Sequence, residues 1–162
     1  MAVFICLFIY LALLLHSENL LHRFIHMRVE AYNNQYAAQM IINARDEDWC
    51  FVSVHCSYYA VLQMMKYLLA HVKQDPISYE DQEQHSANGS SHENILLEIK
   101  KRMGQNEQTE RKFLQSFNYL RNKRKAADYK PTRFTVEECA DIKKLADGLL
   151  SNLKSYFNDK IN

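Results

Sequence analysis

The chain has 162 residues, 48% of them hydrophobic, and a formal net charge of +1. That length bounds it to one domain with an added segment, and the apolar share is enough for a real core. The near-zero balance excludes a chain that is polycationic or polyanionic throughout, yet the charges are unevenly placed. From Asp75 to Glu98 there are six acids and no Lys or Arg, and from Arg111 to Arg133 there are eight bases and one acid, Asp128. Such a basic run suits a face that meets phosphates, and it suits a crowded solvated helix surface equally well. With only 3 Gly and 2 Pro, long helices are expected. Cys6, Cys50, Cys56 and Cys139 form no C-x-x-C pair and no Cys/His set with zinc spacing, so no metal or other cofactor is expected. A reducing, cytoplasmic setting fits them best.

In chain order, Val3 to Leu15 is continuously apolar and His16 ends the run. At 13 residues it is short for a membrane span, and no small-x-small cleavage site follows. It reads as an uncleaved anchor, a poor signal peptide, or a start assigned upstream of the true one. The last is favoured, because Met27 begins an ordinary amphipathic segment. No membrane contact is expected unless residues 1–15 are a genuine anchor. Residues 1–26 are therefore set apart from a helical domain over 27–162.

The first predicted helix covers Val29 to Arg45, with Tyr32, Tyr36, Met40 and Ile41 along one face. Asp46-Glu47-Asp48 suits the start of the next helix, Asp48 to Val72, which is apolar nearly all round and so central. Cys50 and Cys56 read as small core residues within it. Residues 74–91 form a polar, acidic loop with Pro76 near its start, and Asn88-Gly89-Ser90 within it reads as a chance glycosylation match. Ser91 is a plausible N-cap for a third helix running to Met103, and Gly104 breaks it. A fourth helix runs from Glu107 to Ala127, stopped with the help of Pro131. Thr135-Val136-Glu137-Glu138 is a capping-box signature opening a fifth helix through Ile142, Leu149 and Tyr156. No strand pattern or internal repeat appears. The expected fold class is all-α, an antiparallel bundle of about five helices.

The end of the fourth helix carries the chemistry. Its apolar stripe Phe113, Phe117, Leu120 continues onto Arg124 and Ala127. An arginine on a core line needs a partner or a polar cleft, which makes it a candidate functional residue. The plainer reading keeps its stem on the bundle and its head in water.

The run Ser53-Val54-His55-Cys56-Ser57-Tyr58-Tyr59-Ala60 through Lys66, Leu68 and Leu69 resembles the second helix of HEPN-domain proteins. Ser91-His92, the helix end Leu120-x-x-x-Arg124-x-x-Ala127-Asp128-Tyr129 and the start Thr135-x-x-Glu138-x-Ala140 resemble the same family in order and spacing, over about Tyr32 to Phe157. The resemblance implies a five-helix bundle that binds RNA or nucleotides, usually as a homodimer. It further implies a place in toxin–antitoxin or defence systems, and in some pairs a nucleotidyltransferase-type partner that adenylylates a tyrosine just after the motif. Many members are metal-independent endoribonucleases with an Arg-x(4–6)-His motif, in which histidine moves a proton and arginine stabilises the phosphorane charge.

This sequence departs from that motif. Asp128 stands at the longest histidine spacing from Arg121, and Tyr129 at the shortest from Arg124. The expected function is thus RNA or nucleotide binding without the usual histidine. The alternatives are cleavage by a variant Arg/Asp/Tyr site and a structural, partner-binding dimer held by an Arg–Asp cluster. Candidate catalytic residues are Arg121, Arg124, Asp128 and Tyr129. Candidate nucleic-acid contacts are Arg121, Lys123, Arg124, Lys125, Lys130 and Arg133. Asp128 has a structural reading as partner of Arg121 or Arg124, and Tyr129 as a core plug or as a counterpart of the adenylylated tyrosine. His55 is expected to be packed, and His92 to bond the loop before its helix.

Overall fold

A computed structural model describes residues 27–84, 91–103, 107–130, 132–158 and 160–161. The N-terminal apolar run, Cys6, Asn88-Gly89-Ser90, Gly104 and Pro131 lie outside the described residues. Among the described residues six α-helices pack together: α1 (27–44), α2 (Cys50–His71), α3 (Tyr79–Gln84), α4 (Ser91–Met103), α5 (Glu107–Tyr129) and α6 (Val136–Phe157). The fold is an all-α bundle.

α2 is the central element, as its nearly continuous apolar sequence requires. It buries Val54, Tyr58, Val61, Leu62, Met65, Leu68 and Leu69 among the other helices. The acids before it form a 3-10 turn, Glu47–Trp49, capped by the Asp46 side chain accepting from the Asp48 N–H. Trp49 and Phe51 lie on the surface rather than in the core, stacked with ring centroids 6.4 Å apart.

Contacts between elements give the directions. α5 runs antiparallel to α2, because Tyr59 meets Arg124 while His55 meets Asp128. α6 runs parallel to α2: the Cys139 thiol donates to the Cys50 carbonyl at one end, and Val72 bridges Ile161 at the other. α4 also runs parallel to α2, with Tyr58 on His92 near their starts and the Asp75 carbonyl accepting from Arg102 near their ends. The connection between α2 and α4 therefore carries the chain back along the bundle.

That connection is not the plain loop that its polarity predicts, for α3 lies inside it. Ser78 starts α3 by accepting from the Asp81 N–H at 3.1 Å. The buried Gln82 amide donates to the carbonyls of Lys66 and Ile77, tying α3 to the end of α2. The expected face of α1 is also corrected. Tyr32, Tyr36 and Met40 are exposed, and the helix buries Ala31, Ala38 and Ile42 instead. α5 continues through Tyr129, two residues beyond the predicted end.

Among the described residues, no helix is long and apolar enough to cross a membrane. Cys50, Cys56 and Cys139 are buried free thiols. Burial pushes the Cys56 and Cys139 thiols up, Cys139 to about 12, so they behave as small apolar groups.

Candidate functional site

The stripe Phe113, Phe117, Leu120 is fully buried, and the next residue on its line is Arg124, whose side chain is only 14% exposed. The head of Arg124 is not in water. Its Nη2 donates to the Tyr59 hydroxyl at 2.8 Å. Its Nε lies 2.6 Å from Asp128 Oδ2 but without hydrogen-bond alignment, so that attraction is coulombic. The guanidinium carbon stands 5.8, 5.3 and 5.5 Å from the ring centres of Tyr58, Tyr59 and Tyr129. Burial works against the charge of Arg124, but Tyr59, Asp128 and Tyr129 outweigh it and hold its pKa above the ordinary value.

His55 and His92 come to the same place from other helices. His55 Nδ1 lies 3.0 Å from Asp128 Oδ1, and the side chain is 43% exposed, so His55 is not packed in the core. With the carboxylate as acceptor, Nδ1 is the donor, and in the neutral ring Nε2 is then the acceptor. His92 Nδ1 is 2.9 Å from the Tyr58 hydroxyl of α2, and the loop residues just before its helix lie outside the described ones. Burial first, then the charges of Lys66, Arg124 and Arg121, lower the His92 pKa. Burial pushes the Tyr58 phenol up to about 12. The hydroxyl thus keeps its proton and can donate it to Nδ1 of a neutral imidazole. The two histidines flank Tyr59, with ring centroids 4.5 Å and 6.3 Å from it.

Arg121, one turn back, pairs with Glu93 of α4 at 2.9 Å rather than with Asp128. Its Nε is buried with no hydrogen-bond partner among the described residues. The acidic start of α4 thus lies against the basic end of α5, so part of the charge asymmetry in the sequence is neutralised inside the fold.

The remaining candidates separate. Lys123 points to the groove between α5 and α6, with its ammonium 5.5 Å from the Tyr119 ring centre and 5.8 Å from that of Phe134. Lys125, Lys130 and Arg133 are exposed on the helix end and the turn after it. Tyr129 is 74% exposed, so it is no core plug. Among the described residues, no group of three or more His, Cys, Asp or Glu side chains could hold a metal ion.

The site is therefore a largely buried cluster of two arginines, two imidazoles, two carboxylates (Asp128 and Glu93) and three tyrosines, of which Tyr129 is exposed, drawn from α2, α4 and α5. It can bind an oxyanion through the guanidiniums, stack a flat ring on exposed Tyr129, and offer an imidazole nitrogen to a proton. Comparison of the chain with protein-family models, curated proteins and solved structures returns no match.

Proposed function

We propose that this chain is an RNA-binding, HEPN-like domain of a toxin–antitoxin or defence-type system, cytoplasmic and homodimeric, holding a phosphodiester at Arg121 and Arg124. The observation that carries the reading is Arg124, a guanidinium on the core line of α5 whose head is fixed among three tyrosines. Arginine held rigidly beside aromatic rings suits a chain of phosphates and bases, which needs planar oxyanion recognition and stacking together. A nucleotidyltransferase-type protein is the partner proposed with it, and exposed Tyr129 is the residue on which such a partner would act.

Cleavage is a second reading, favoured by the two histidines. His55 and His92 supply beside Arg124 the imidazoles that α5 itself lacks. Attack of a 2′-hydroxyl on the adjacent phosphodiester needs a base, an acid and a stabilised phosphorane. In this reading Nε2 of His55 accepts the proton of the 2′-hydroxyl while Nδ1 faces Asp128. The Arg124–Asp128 pair closes within one chain, so it gives no support to a dimer held by that pair.

Both readings are tested with the full chain and a fluorescent single-stranded RNA, with chelator present. Binding is expected to weaken steeply as salt rises, since phosphate contacts release counterions. Arg121→Ala/Arg124→Ala should lower affinity about tenfold or more, about 1.4 kcal/mol. RNA affinity indifferent to salt and to both arginines would overturn the binding reading. Cleavage that is lost in His55→Ala while binding persists would establish the second reading.

A further inference from the structure

A second cluster of cations and rings lies away from the Arg124 end and takes no part in the function proposed above. At the start of α1, the Arg28 guanidinium carbon stands 5.9 Å from the ring centre of Tyr32 and 5.7 Å from that of Tyr67 on α2. From the last turn of α6, Lys154 Nζ lies 4.9 Å from the centre of the same Tyr32 ring. Burial acts to raise the Tyr32 pKa, yet the neighbouring Arg28 and Lys154 cations outweigh it and bring the phenol below its ordinary value.

These side chains line a cleft of about 340 Å³ whose apolar floor is Met64 and Leu68. The chain after α6 closes one wall. The Lys73 N–H donates to the Lys160 carbonyl at 2.8 Å, and Ile161 bridges Val72, which sets Ile161 at the rim. No Asp or Glu is among the described residues that line the cleft. Two cations therefore share a phenol as their common neighbour, with no carboxylate among the described lining residues.

We propose that this cleft binds an aryl phosphate monoester. The phosphate sits between Arg28 and Lys154, and the flat ring lies against Tyr32 and Tyr67 over Met64 and Leu68. A phosphate monoester carries about −1.5 to −2 charge near neutrality, which matches two cations better than a single carboxylate does. Arginine supplies the planar fork for its oxygens and lysine a point charge. The walls offer ring faces to an aromatic body, and the volume lies within the range of about 300–1,000 Å³ typical of small-molecule sites.

Isothermal titration of the full chain with phenyl phosphate, and separately with inorganic phosphate, tests this. Phenyl phosphate is expected to bind, and inorganic phosphate to bind several-fold more weakly. Arg28→Ala/Lys154→Ala should lower the phenyl phosphate affinity about tenfold or more. Both residues lie on the surface, and the milder pair Arg28→Gln/Lys154→Gln should show the same loss with unchanged helix content. No heat with phenyl phosphate at millimolar concentration would overturn the proposal. So would equal affinity for inorganic phosphate, which removes the ring subsite. Binding retained in the double variant but lost in Arg124→Ala would also overturn it, by placing the anion at the other end of the bundle.

Discussion

His92 is half-buried between Tyr58 and Tyr59, with three cations in its surroundings, and it stays neutral for that reason. Its folded pKa is lowered, so the unfolded chain binds its proton more readily than the folded one. Its contribution to stability is then fully present above the ordinary histidine value of about 6.5 and is lost as pH falls below it. His71, lowered by burial, adds to the same slope. Urea unfolding between about pH 8 and pH 5 should show stability falling through this window, and His92→Gln should make the fall shallower. An unchanged slope in that variant would show that His92 does not titrate across unfolding. At this scale the sequence announced Arg124, because a helix stripe leads onto it. It could not announce His55 and His92 as its neighbours. Their bonds span 73 and 34 residues, and nothing in local spacing encodes which helices meet.

Elements were legible where a local bond leaves a local signature. Thr135 accepts from the Glu138 N–H while the Glu138 carboxylate accepts from the Thr135 N–H, so the capping box at the start of α6 forms as its four residues predict. Thr135→Ala removes one of those bonds and should cost about 1 kcal/mol in urea unfolding, with no effect on the distant Arg28 cleft. A loss below a few tenths would mean that water replaces the cap. The start of α3 carries a related signal in Ser78-x-x-Asp81, where the hydroxyl donates to the carboxylate at 2.8 Å and accepts from the Asp81 N–H. The polarity of the surrounding residues hid it, for α3 is anchored by one buried ring, Tyr79, and the buried amide of Gln82 rather than by an apolar stripe. The face of α1 was misread for the opposite reason. Tyr32, Tyr36 and Met40 point outward, while the buried face is made of Ala31, Ala38 and Ile42. Periodicity reports which residues share a face and leaves open whether the bulky or the small face is buried.

At the scale of the whole molecule, the candidate site and the core are one packing unit. Tyr58 belongs to both: its ring lies 5.4 Å from that of Phe117, and its hydroxyl meets His92. Phe117 is itself 0% exposed, on the core stripe one turn before Arg121. Phe117→Ala should therefore do two things at once. It should cost about 3–5 kcal/mol, a large part of the about 5–15 kcal/mol that holds a domain folded, because the cavity closes only in part. It should also free the Tyr58 ring, and the His92 pKa should move back toward the ordinary histidine value as water reaches the imidazole. Leu153→Ala in α6, another fully buried position, serves as the control. It should cost about 2–5 kcal/mol without moving the His92 titration, since Leu153 has no ring or hydrogen bond to the tyrosine pair. Urea unfolding gives the first quantity and the NMR titration of the His92 ring gives the second. If Phe117→Ala lowers stability and leaves the His92 titration where it was, the tyrosine pair is held by α2 and α4 alone, and the site is independent of the core beneath it.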